Sequence, residues 1–248
     1  MLRPQNLRRL RSILSTKIPQ ASQSIRLAST HFGFETVDEK EKEKKVAQVF
    51  DNVATKYDLM NDVMSFGIHR IWKDYYVDNL KFRPNCKVLD VAGGTGDIAF
   101  RLQRKINNSG KITVFDINQN MLDVGKRKAV ENEKVDASKL EWVQGDAENL
   151  PFPEGTFDLY TISFGIRNCT HVDKVLKEAF RVLKSGGQLA VLEFSEVPDM
   201  LKPVYDAYSF NVIPVMGQVV AGDYHSYKYL VESIRKFPNQ VVLSYLQR

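Results

Sequence analysis

The sequence predicts an α/β fold in which a parallel sheet is covered by helices on both faces. Between residues 87 and 194, apolar segments of strand length alternate with segments of helical periodicity, and this alternation is typical of a parallel sheet. Glycine and small polar residues at 107–110 and 185–187 mark turns between helices and the strands that follow. The 248 residues, 43% of them hydrophobic, can form one such domain with a substantial core.

The predicted elements follow in order along the chain. The charged run 38–45 begins a helix that becomes apolar, at helical spacing, at Val46, Val49, Phe50 and Val53. We then expect strands at 87–91, 111–115, 140–143, 157–163 and 188–194, and helices between them at 98–106, 119–130 and 172–183. The segment 200–222 interrupts the alternation with two prolines. Its aromatic and aliphatic residues predict either an apolar entrance for a lipid tail or an oligomer contact.

The net charge of +5 comes from the N-terminal segment alone. No acidic residue precedes Glu35, whereas six of the 35 lysine and arginine residues do. The remaining 29 basic residues are balanced by 30 acidic ones, so the rest of the chain is close to neutral. A nucleic-acid-binding domain usually carries a strongly basic face, and we therefore expect no nucleic-acid partner.

Residues 1–30 have the composition of a mitochondrial transit peptide. They are rich in arginine and serine, lack acidic residues, and place Leu7, Leu10 and Leu14 on one helical face. They also lack the continuous apolar core of a secretory signal. We expect cleavage near residues 27–31. A disordered basic tail that binds phosphates or anionic lipid is the alternative.

No apolar run approaches the roughly 20 residues that span a bilayer, since Pro214 and Gly217 interrupt the stretch 212–221. We therefore expect a protein that is soluble or peripheral to a membrane. The two cysteines, Cys86 and Cys169, are too few for a disulfide framework and lie too far apart for a CxxC pair of metal ligands. We expect both to be buried, and we predict no metal site.

The first strand-to-helix turn, within VLDVAGGTGDIAF at 88–100, predicts a ligand that approaches the backbone closely. In a doubly wound sheet the ligand lies beyond the carboxyl ends of the strands, at this turn, and here the turn contains Gly93, Gly94 and Gly96. Asp116 follows Gly96 by 20 residues, at the end of the second strand, where an acid can bind ribose hydroxyls. Residues 94–99 also spell GxGxxA, so a nicotinamide-binding fold remains an alternative.

Three further segments distinguish between the two kinds of cofactor. Asp90 ends the first strand, GDAENLPFPEGTFD follows the third, and FDLYTIS forms the fourth. Together with the glycine turn they resemble the S-adenosylmethionine-dependent methyltransferases of the seven-stranded class, which have a Rossmann-like class I fold. The turn also lacks a lysine or arginine that could pair with a pyrophosphate, and this agrees with a sulfonium ligand.

This resemblance implies that S-adenosylmethionine is the methyl donor, and it implies a set of cofactor-binding residues. Asp116 would bind the ribose, Asp146 and Ala147 would lie beside the adenine, and the glycine turn would lie under the methionine part. The alternative for Asp146 is a carboxylate that only caps a turn. The complete predicted set is Gly93, Gly94, Thr95, Gly96, Asp116, Asp146, Ala147 and Ser163.

Three longer motifs narrow the resemblance. YDLMNDVMSFGIHRIW at 57–72, SFGIRN at 163–168 and RVLKSGGQLAVLEFS at 181–195 are similar to motifs of the ubiquinone and menaquinone biosynthesis C-methyltransferases. This family resemblance implies methylation of a ring carbon of a polyprenyl benzoquinol on the way to ubiquinone. It also implies a location on the matrix side of the mitochondrial inner membrane, peripheral membrane contact, association with other enzymes of a ubiquinone biosynthetic complex, and a homodimer as one option.

The family pattern divides the chain into four parts. We assign 1–30 to the transit peptide, 36–84 to an N-terminal helical cap, 85–240 to the methyltransferase domain and 241–248 to an atypical tail. Members of the family continue with a helix and two antiparallel strands, whereas this sequence reads VVLSYLQR after Gln240. We therefore expect five strands in the order 3-2-1-4-5, without the last two of the usual seven, and an open edge on the fifth.

Methyl transfer to a ring carbon needs a phenolate-like nucleophile, so the enzyme must lower the pKa of the ring hydroxyl or remove its proton. Arg167 and Asn168, at the carboxyl end of the fourth strand, are predicted to polarise this hydroxyl through a water. Tyr57 or His69 would accept the proton, and these four residues form the predicted catalytic set. The alternative for Arg167 is an ordinary surface ion pair. The motif at 181–195 is interpreted as mainly structural.

Two other functions remain open from the sequence. A nicotinamide-dependent reductase would share the glycine turn and the acid at Asp116. A non-catalytic scaffold would keep the fold and act within a complex of biosynthetic enzymes. Titration with each cofactor distinguishes the reductase from the methyltransferase, since only one of the two cofactors would bind.

Overall fold

The computed structural model describes residues 29–106 and 110–237. Nearly all of the segment expected to be a transit peptide lies outside these residues, and so does the tail at 241–248. Within them, the first secondary structure is a two-stranded antiparallel hairpin made of β1 (Ser29–Phe32) and β2 (Glu35–Asp38). This hairpin was not among the predicted elements, because its strands are only four residues long and carry no clear alternation of apolar residues.

Three helices precede the central sheet: α1 (Glu39–Val53), α2 (Tyr57–Ser65) and α3 (Ile68–Asp78). Asp38 caps α1, because its carboxylate accepts a hydrogen bond from the Lys40 amide at 2.9 Å. The charged run at 38–45 therefore begins a helix, as predicted. The apolar residues of α1 then face inward toward the rest of the domain.

The remaining elements alternate as expected. Each helix between two strands begins and ends within one or two residues of its predicted position. In chain order the elements are β3 (Lys87–Val91), α4 (Asp97–Lys105), β4 (Lys111–Asp116), α5 (Gln119–Glu131), β5 (Leu140–Gln144), β6 (Phe157–Ser163), α6 (Val172–Val182), β7 (Leu183–Leu192), α7 (Lys202–Asn211), α8 (Ile213–Met216) and α9 (Tyr224–Lys236), with a π-helical turn at Gly217–Ala221 before α9.

Strands β3 to β7 form one parallel sheet in the order β5-β4-β3-β6-β7. This is the predicted order 3-2-1-4-5, so the prediction of a Rossmann-like class I arrangement is confirmed. Strand β3 lies at the centre, where Leu89 is the register partner of Thr113 on one side and of Tyr160 on the other. In the described part of the chain β7 pairs with β6 alone, so it is an edge strand of this sheet.

The last strand of the sheet begins earlier than predicted. Strand β7 includes the segment at 185–187, which was expected to be a turn between a helix and a strand. Its register with β6 is irregular, because Phe157 pairs with Leu183 whereas Leu159 pairs with Gln188. Gly186 has a positive φ of 73°, so the glycines form a bulge after which pairing resumes.

Apolar residues of the sheet form a core on each face. Strand β3 contributes Val88 to one cluster and Leu89 and Val91 to the other, and all three are fully buried. Burial on both faces is the reason that parallel strands have continuous apolar sequences. Cys86 is buried in the first cluster, as expected, whereas Cys169 is only partly buried and packs against the second.

The segment 200–222 forms short helices and packs against the N-terminal helices. A third apolar cluster, made of Val53, Met60, Met64 and Tyr227, joins α1 and α2 to α9. These contacts hold the two flanking helical regions side by side. None of the helices in residues 29–106 and 110–237 combines the length and the apolar composition that a membrane crossing requires.

Candidate active site

The turn after β3 packs so closely against β4 that a side chain has no room at Gly93. The Gly93 amide donates a hydrogen bond to the Phe115 carbonyl oxygen at 3.2 Å. A Cβ on Gly93 would lie 2.6 Å from Val114 Cγ1 and 3.0 Å from the carbonyl oxygen of Asp90. Gly94 has a positive φ of 52°, which glycine adopts without strain. The turn therefore presents bare backbone at the carboxyl end of the sheet.

A cavity lies against this turn, and we call it the cofactor cavity. Gly96 does not line it, although it was predicted to bind the cofactor. Instead, Gly96 directly precedes α4 and has a positive φ of 83°. A Cβ at this position would lie 2.7 Å from Trp142 Cη2, so the absence of a side chain allows α4 and β5 to pack closely. The other seven predicted residues line the cofactor cavity: Gly93, Gly94, Thr95, Asp116, Asp146, Ala147 and Ser163.

Asp116 joins the glycine turn to the loop after β4. Its Oδ2 accepts a hydrogen bond from the Gly94 amide and its Oδ1 accepts one from the Asn118 amide, both at 2.8 Å. Burial raises the pKa of this carboxyl above its usual value, although the backbone donors oppose the shift. Each carboxylate oxygen has a second lone pair, so Asp116 can accept ribose hydroxyls while it holds the turn.

Asp146 caps a turn at the wall of the cofactor cavity. Its Oδ1 accepts a hydrogen bond from the Glu148 amide at 2.9 Å, which is the contact of a residue that caps a turn. Asp146 also lines the cofactor cavity, beside Ala147. The capping contact therefore fixes the side chain at the wall of the cavity.

Two buried polar atoms at this wall have no hydrogen-bond partner among the residues described. They are Asp90 Oδ2 and Ser163 Oγ, whereas Asp90 Oδ1 accepts a hydrogen bond from Thr161 Oγ1 at 2.7 Å. Burial raises the pKa of Asp90 to about 7. A buried polar atom without a partner destabilises the fold unless a ligand supplies one. The ammonium group of S-adenosylmethionine is a suitable donor, so the residues of the cofactor cavity fit this molecule.

We expect the affinity for S-adenosylmethionine to rise with pH through the pKa of Asp90, about 7. Protonation on the acid side of this value removes the negative charge that an ammonium group requires. The Asp90→Asn variant keeps the acceptor for Thr161 but cannot ionise, so its affinity should be lower and should vary little with pH. Calorimetric titration of both proteins between about pH 6 and about pH 7.5 measures this difference. The same pH dependence in both proteins would show that Asp90 does not face the ligand.

A second cavity adjoins the first, and we call it the aromatic cavity. All four residues predicted to be catalytic line it: Tyr57, His69, Arg167 and Asn168. Five residues line both cavities, namely Phe50, Tyr57, Lys73, Phe164 and Asn168. Two molecules bound in the two cavities would therefore meet beside Tyr57 and Asn168.

Arg167 is buried at the wall of the aromatic cavity, so the alternative of an ordinary surface ion pair is wrong. Its side chain is 5% exposed, and Nη1 donates to Oε1 of Glu193 at 2.9 Å. Nη1 also donates to the Phe164 carbonyl oxygen, and the guanidinium lies 5.5 Å from the centre of the Phe194 ring. These contacts fix the guanidinium, which has five N–H donors in all, against the cavity.

Asn168 is held by a hydrogen bond from the other side of the cavity. Tyr229 donates its hydroxyl proton to Asn168 Oδ1 at 2.9 Å. Burial raises the pKa of Tyr229 to about 12, so this phenol remains a donor at neutral pH. With its oxygen occupied in this way, the side-chain amide of Asn168 has its NH₂ group available as a donor to a bound molecule.

Three charged residues in or beside the two cavities were not predicted. Glu193 belongs to the motif at 181–195, which was interpreted as mainly structural, but its carboxylate holds Arg167. Lys73 Nζ donates to Asp97 Oδ2 at 2.7 Å, and this pair lies where the two cavities meet. One signal was available for Lys73, because it follows His69 by four residues and therefore shares its helical face.

Comparison with known proteins identifies the family. Residues 38–248 match the model of the ubiE/COQ5 methyltransferase family. The chain is 65% identical over 211 residues to 2-methoxy-6-polyprenyl-1,4-benzoquinol methylase, mitochondrial, of Caenorhabditis elegans, covering 85% of this chain and 74% of that protein. It is 60% identical to the ubiquinone/menaquinone biosynthesis C-methyltransferase UbiE of Ruegeria sp. (strain TM1040), covering 86% of this chain and 84% of that one. In fold it resembles the crystal structure of an S-adenosylmethionine-dependent methyltransferase from Thermotoga maritima, with a TM-score of 0.54 and 19% identity over 81% of this chain and 78% of that chain.

These similarities decide between the two cofactors that the glycine turn left open. The family model and the relatives are those of methyltransferases, and the similar solved structure has the same class of fold. The methyl donor is therefore S-adenosylmethionine rather than a nicotinamide cofactor. The chain belongs to the ubiE/COQ5 methyltransferase family.

Proposed function

We propose that this chain methylates a ring carbon of 2-methoxy-6-polyprenyl-1,4-benzoquinol during ubiquinone biosynthesis. The name of the Caenorhabditis elegans relative supports this substrate. The observation that carries the proposal is the junction of the two cavities, where Arg167 and Asn168 present fixed donors beside the cofactor cavity. An aromatic ring with a hydroxyl group fits such a junction, because the donors can bind its oxygen while the ring carbon faces the methyl donor.

Bound S-adenosylmethionine supplies an electrophilic methyl group on a sulfonium. The residues of this chain make the ring nucleophilic. Arg167 and Asn168 polarise the ring hydroxyl through a water, because negative charge on the oxygen raises the electron density on the ring carbon. Tyr57 and His69 line the same cavity and are the candidate proton acceptors.

We further propose that the aromatic cavity admits the polyprenyl tail. Tyr205, Tyr208 and Ile213, from the segment 200–222, line this cavity. Of the two interpretations of this segment, the cavity lining therefore favours an apolar entrance over an oligomer contact.

A polyprenyl tail keeps the substrate in a lipid bilayer, so we propose that the protein contacts a membrane peripherally. The rings of Phe66 and Tyr208 lie 6.2 Å apart, which places the loop between α2 and α3 beside α7 and the aromatic cavity. Exposed apolar side chains of this kind mark surfaces for lipid or protein contact. In α3, α7 and the loops that precede them, five large apolar side chains are 66% exposed or more: Phe66, Ile71, Tyr75, Met200 and Val204.

The membrane in question is proposed to be the mitochondrial inner membrane, on its matrix side. Relatives from Caenorhabditis elegans, Dictyostelium discoideum and Mus musculus are named as mitochondrial proteins, and residues 1–30 are proposed as the transit peptide. We assign residues 36–84 to a cap over the methyltransferase domain at 85–240. Other enzymes of a ubiquinone biosynthetic complex are the proposed partners.

Mass spectrometry of quinone intermediates in cells that lack this protein tests the proposed function. The benzoquinol without the ring methyl group should accumulate, and expression of the chain should remove it. Expression of the Arg167→Gln/Glu193→Gln variant, which avoids an unpaired buried charge at Glu193, should not remove it if the chain is the catalyst. Full restoration by this variant would instead support the scaffold, and no accumulation in the deficient cells would contradict the proposed substrate.

A further inference from the structure

A histidine and a carboxylate form a hydrogen-bonded pair at the wall of the aromatic cavity. His69, in the first turn of α3, is 8% exposed and lines the cavity. Its Nε2 lies 2.8 Å from Oδ1 of Asp62, in the last turns of α2. Phe66 and Gly67, both with positive φ, reverse the chain between the two helices and bring these side chains together.

Asp62 is held in its ionised form by a second partner. Arg70 donates from Nε to Oδ1 and from Nη2 to Oδ2, both at 2.6 Å. This pairing is the main reason that the pKa of Asp62 lies well below its usual range. An ionised carboxylate only accepts hydrogen bonds, so the nitrogen of His69 that faces Asp62 must carry a proton.

The other ring nitrogen of His69 is then an acceptor when the ring is neutral. Burial lowers the pKa of His69, which favours the neutral ring, and Lys73 on α3 acts in the same direction. Two carboxylates, Asp62 on α2 and Asp97 at the start of α4, oppose this shift of the His69 pKa. His69 Nδ1 is buried and has no hydrogen-bond partner among the residues described. A buried acceptor of this kind requires a donor, and a ring hydroxyl in the aromatic cavity would provide one.

We propose that His69 Nδ1 is the acceptor of the ring hydroxyl proton and that Asp62 positions His69 for this role. The inference rests on the proposed function and chooses His69 over Tyr57. Tyr57 is less suited to the role, because a phenol must first lose its own proton before it can accept another. Asp62 acts through His69, as the carboxylate does in a hydrolase triad, by fixing the tautomer and stabilising the imidazolium that forms.

The proton and electron balance is complete with these groups. The hydroxyl proton moves to Nδ1, a bond forms between the ring carbon and the methyl carbon, and the electron pair of the broken methyl–sulfur bond stays on sulfur. The ring carbon then loses its proton to solvent, and the imidazolium returns its proton to the ring oxygen. One proton is released for each methyl group transferred, and His69 is regenerated in its neutral form.

The Asp62→Asn variant tests the positioning role, with Asp78→Asn as a matched control at an exposed ion pair with Lys105. We expect Asp62→Asn to lower kcat about 100-fold or more, with little change in S-adenosylmethionine affinity, and Asp78→Asn to change neither. The pH profile gives a second readout. The rate should rise with pH as His69 loses its proton, and in Asp62→Asn this rise should move to lower pH, because the carboxylate that raises the pKa of His69 is gone.

Chemical rescue tests the acceptor itself. The His69→Ala variant should lose turnover and regain part of it when imidazole is added, whereas Tyr57→Phe should retain most of its turnover. The inference is overturned if His69→Ala keeps the wild-type kcat, if Asp62→Asn leaves both kcat and the pH profile unchanged, or if Tyr57→Phe abolishes turnover and His69→Ala does not. In each of these cases the unmodified chain still methylates the quinol, so the result is distinct from failure of the proposed function.

Discussion

Replacement of Arg167 by alanine is expected to abolish methyl transfer while S-adenosylmethionine still binds. The guanidinium stabilises negative charge that develops on the substrate oxygen only as the reaction proceeds, so its loss lowers kcat rather than cofactor affinity. Removal of one such donor typically lowers kcat by about 100- to 1000-fold. Arg167 lines the aromatic cavity and is absent from the lining of the cofactor cavity. Measurement of kcat and of the cofactor dissociation constant on the same preparation separates the two effects.

The same substitution also leaves Glu193 without its partner. The side chain of Glu193 is 4% exposed, and removal of one member of a buried ion pair destabilises a protein by about 3–5 kcal/mol. The double variant Arg167→Gln/Glu193→Gln replaces the ion pair with a neutral hydrogen-bonding pair and avoids this unpaired charge. It should melt closer to the wild-type temperature than Arg167→Ala does, and it should still lack turnover. Turnover near the wild-type value in the double variant would contradict the role given to Arg167.

Replacement of Asp116 by alanine is expected to weaken S-adenosylmethionine binding by about 100-fold or more. Two hydrogen bonds from ribose hydroxyls to a carboxylate would be lost, each worth about 1.5–3 kcal/mol. The substitution also removes the acceptor for the Gly94 and Asn118 amides, so some of the loss would come from a looser glycine turn. Calorimetric titration measures the total change.

A ligand without ribose hydroxyls separates these two contributions. If Asp116 contacts the ribose, removal of the hydroxyls should weaken binding strongly in the wild-type protein and only slightly in Asp116→Ala, because the lost contacts are the same ones. Asp123→Ala, which removes a partly exposed carboxylate of α5, is the control and should bind like the wild type. If removal of the ribose hydroxyls lowered the affinity equally in all three proteins, Asp116 would not contact the ribose.

The pattern of apolar segments and turn residues along the chain was sufficient to predict the centre of the fold. Strands β3 and β6 have the predicted bounds, because both are buried on two faces and are therefore mainly apolar segments between clear turn signals. The predicted start of β7 was wrong, because the segment 185–187 has the composition of a turn. Only the pairing of the flanking Leu183 and Gln188 with β6 makes this segment a bulge. Patterns along the chain do not contain that pairing.

In the candidate site, too, patterns along the chain predicted some residues, whereas others depend on contacts between distant parts of the chain. Residues on the glycine turn and at the strand ends were predicted, because their position in the fold follows from the order of elements and from motif resemblance. Glu193 and Asp62 were missed as functional residues, since each acts through a partner that is distant in sequence or on another helix. Gly96 was predicted to bind the cofactor because it belongs to the glycine motif. A side chain at this position would collide with Trp142 and Phe100, so close packing explains the need for glycine there.

The most direct test of this account uses the purified chain with S-adenosylmethionine that carries a trideuterated methyl group. The chain is incubated with reduced 2-methoxy-6-polyprenyl-1,4-benzoquinol, and the product is analysed by mass spectrometry with fragmentation. The account predicts one labelled methyl group on a ring carbon for each turnover. A label on an oxygen, or an unlabelled quinol recovered from a protein that binds both molecules, would contradict it.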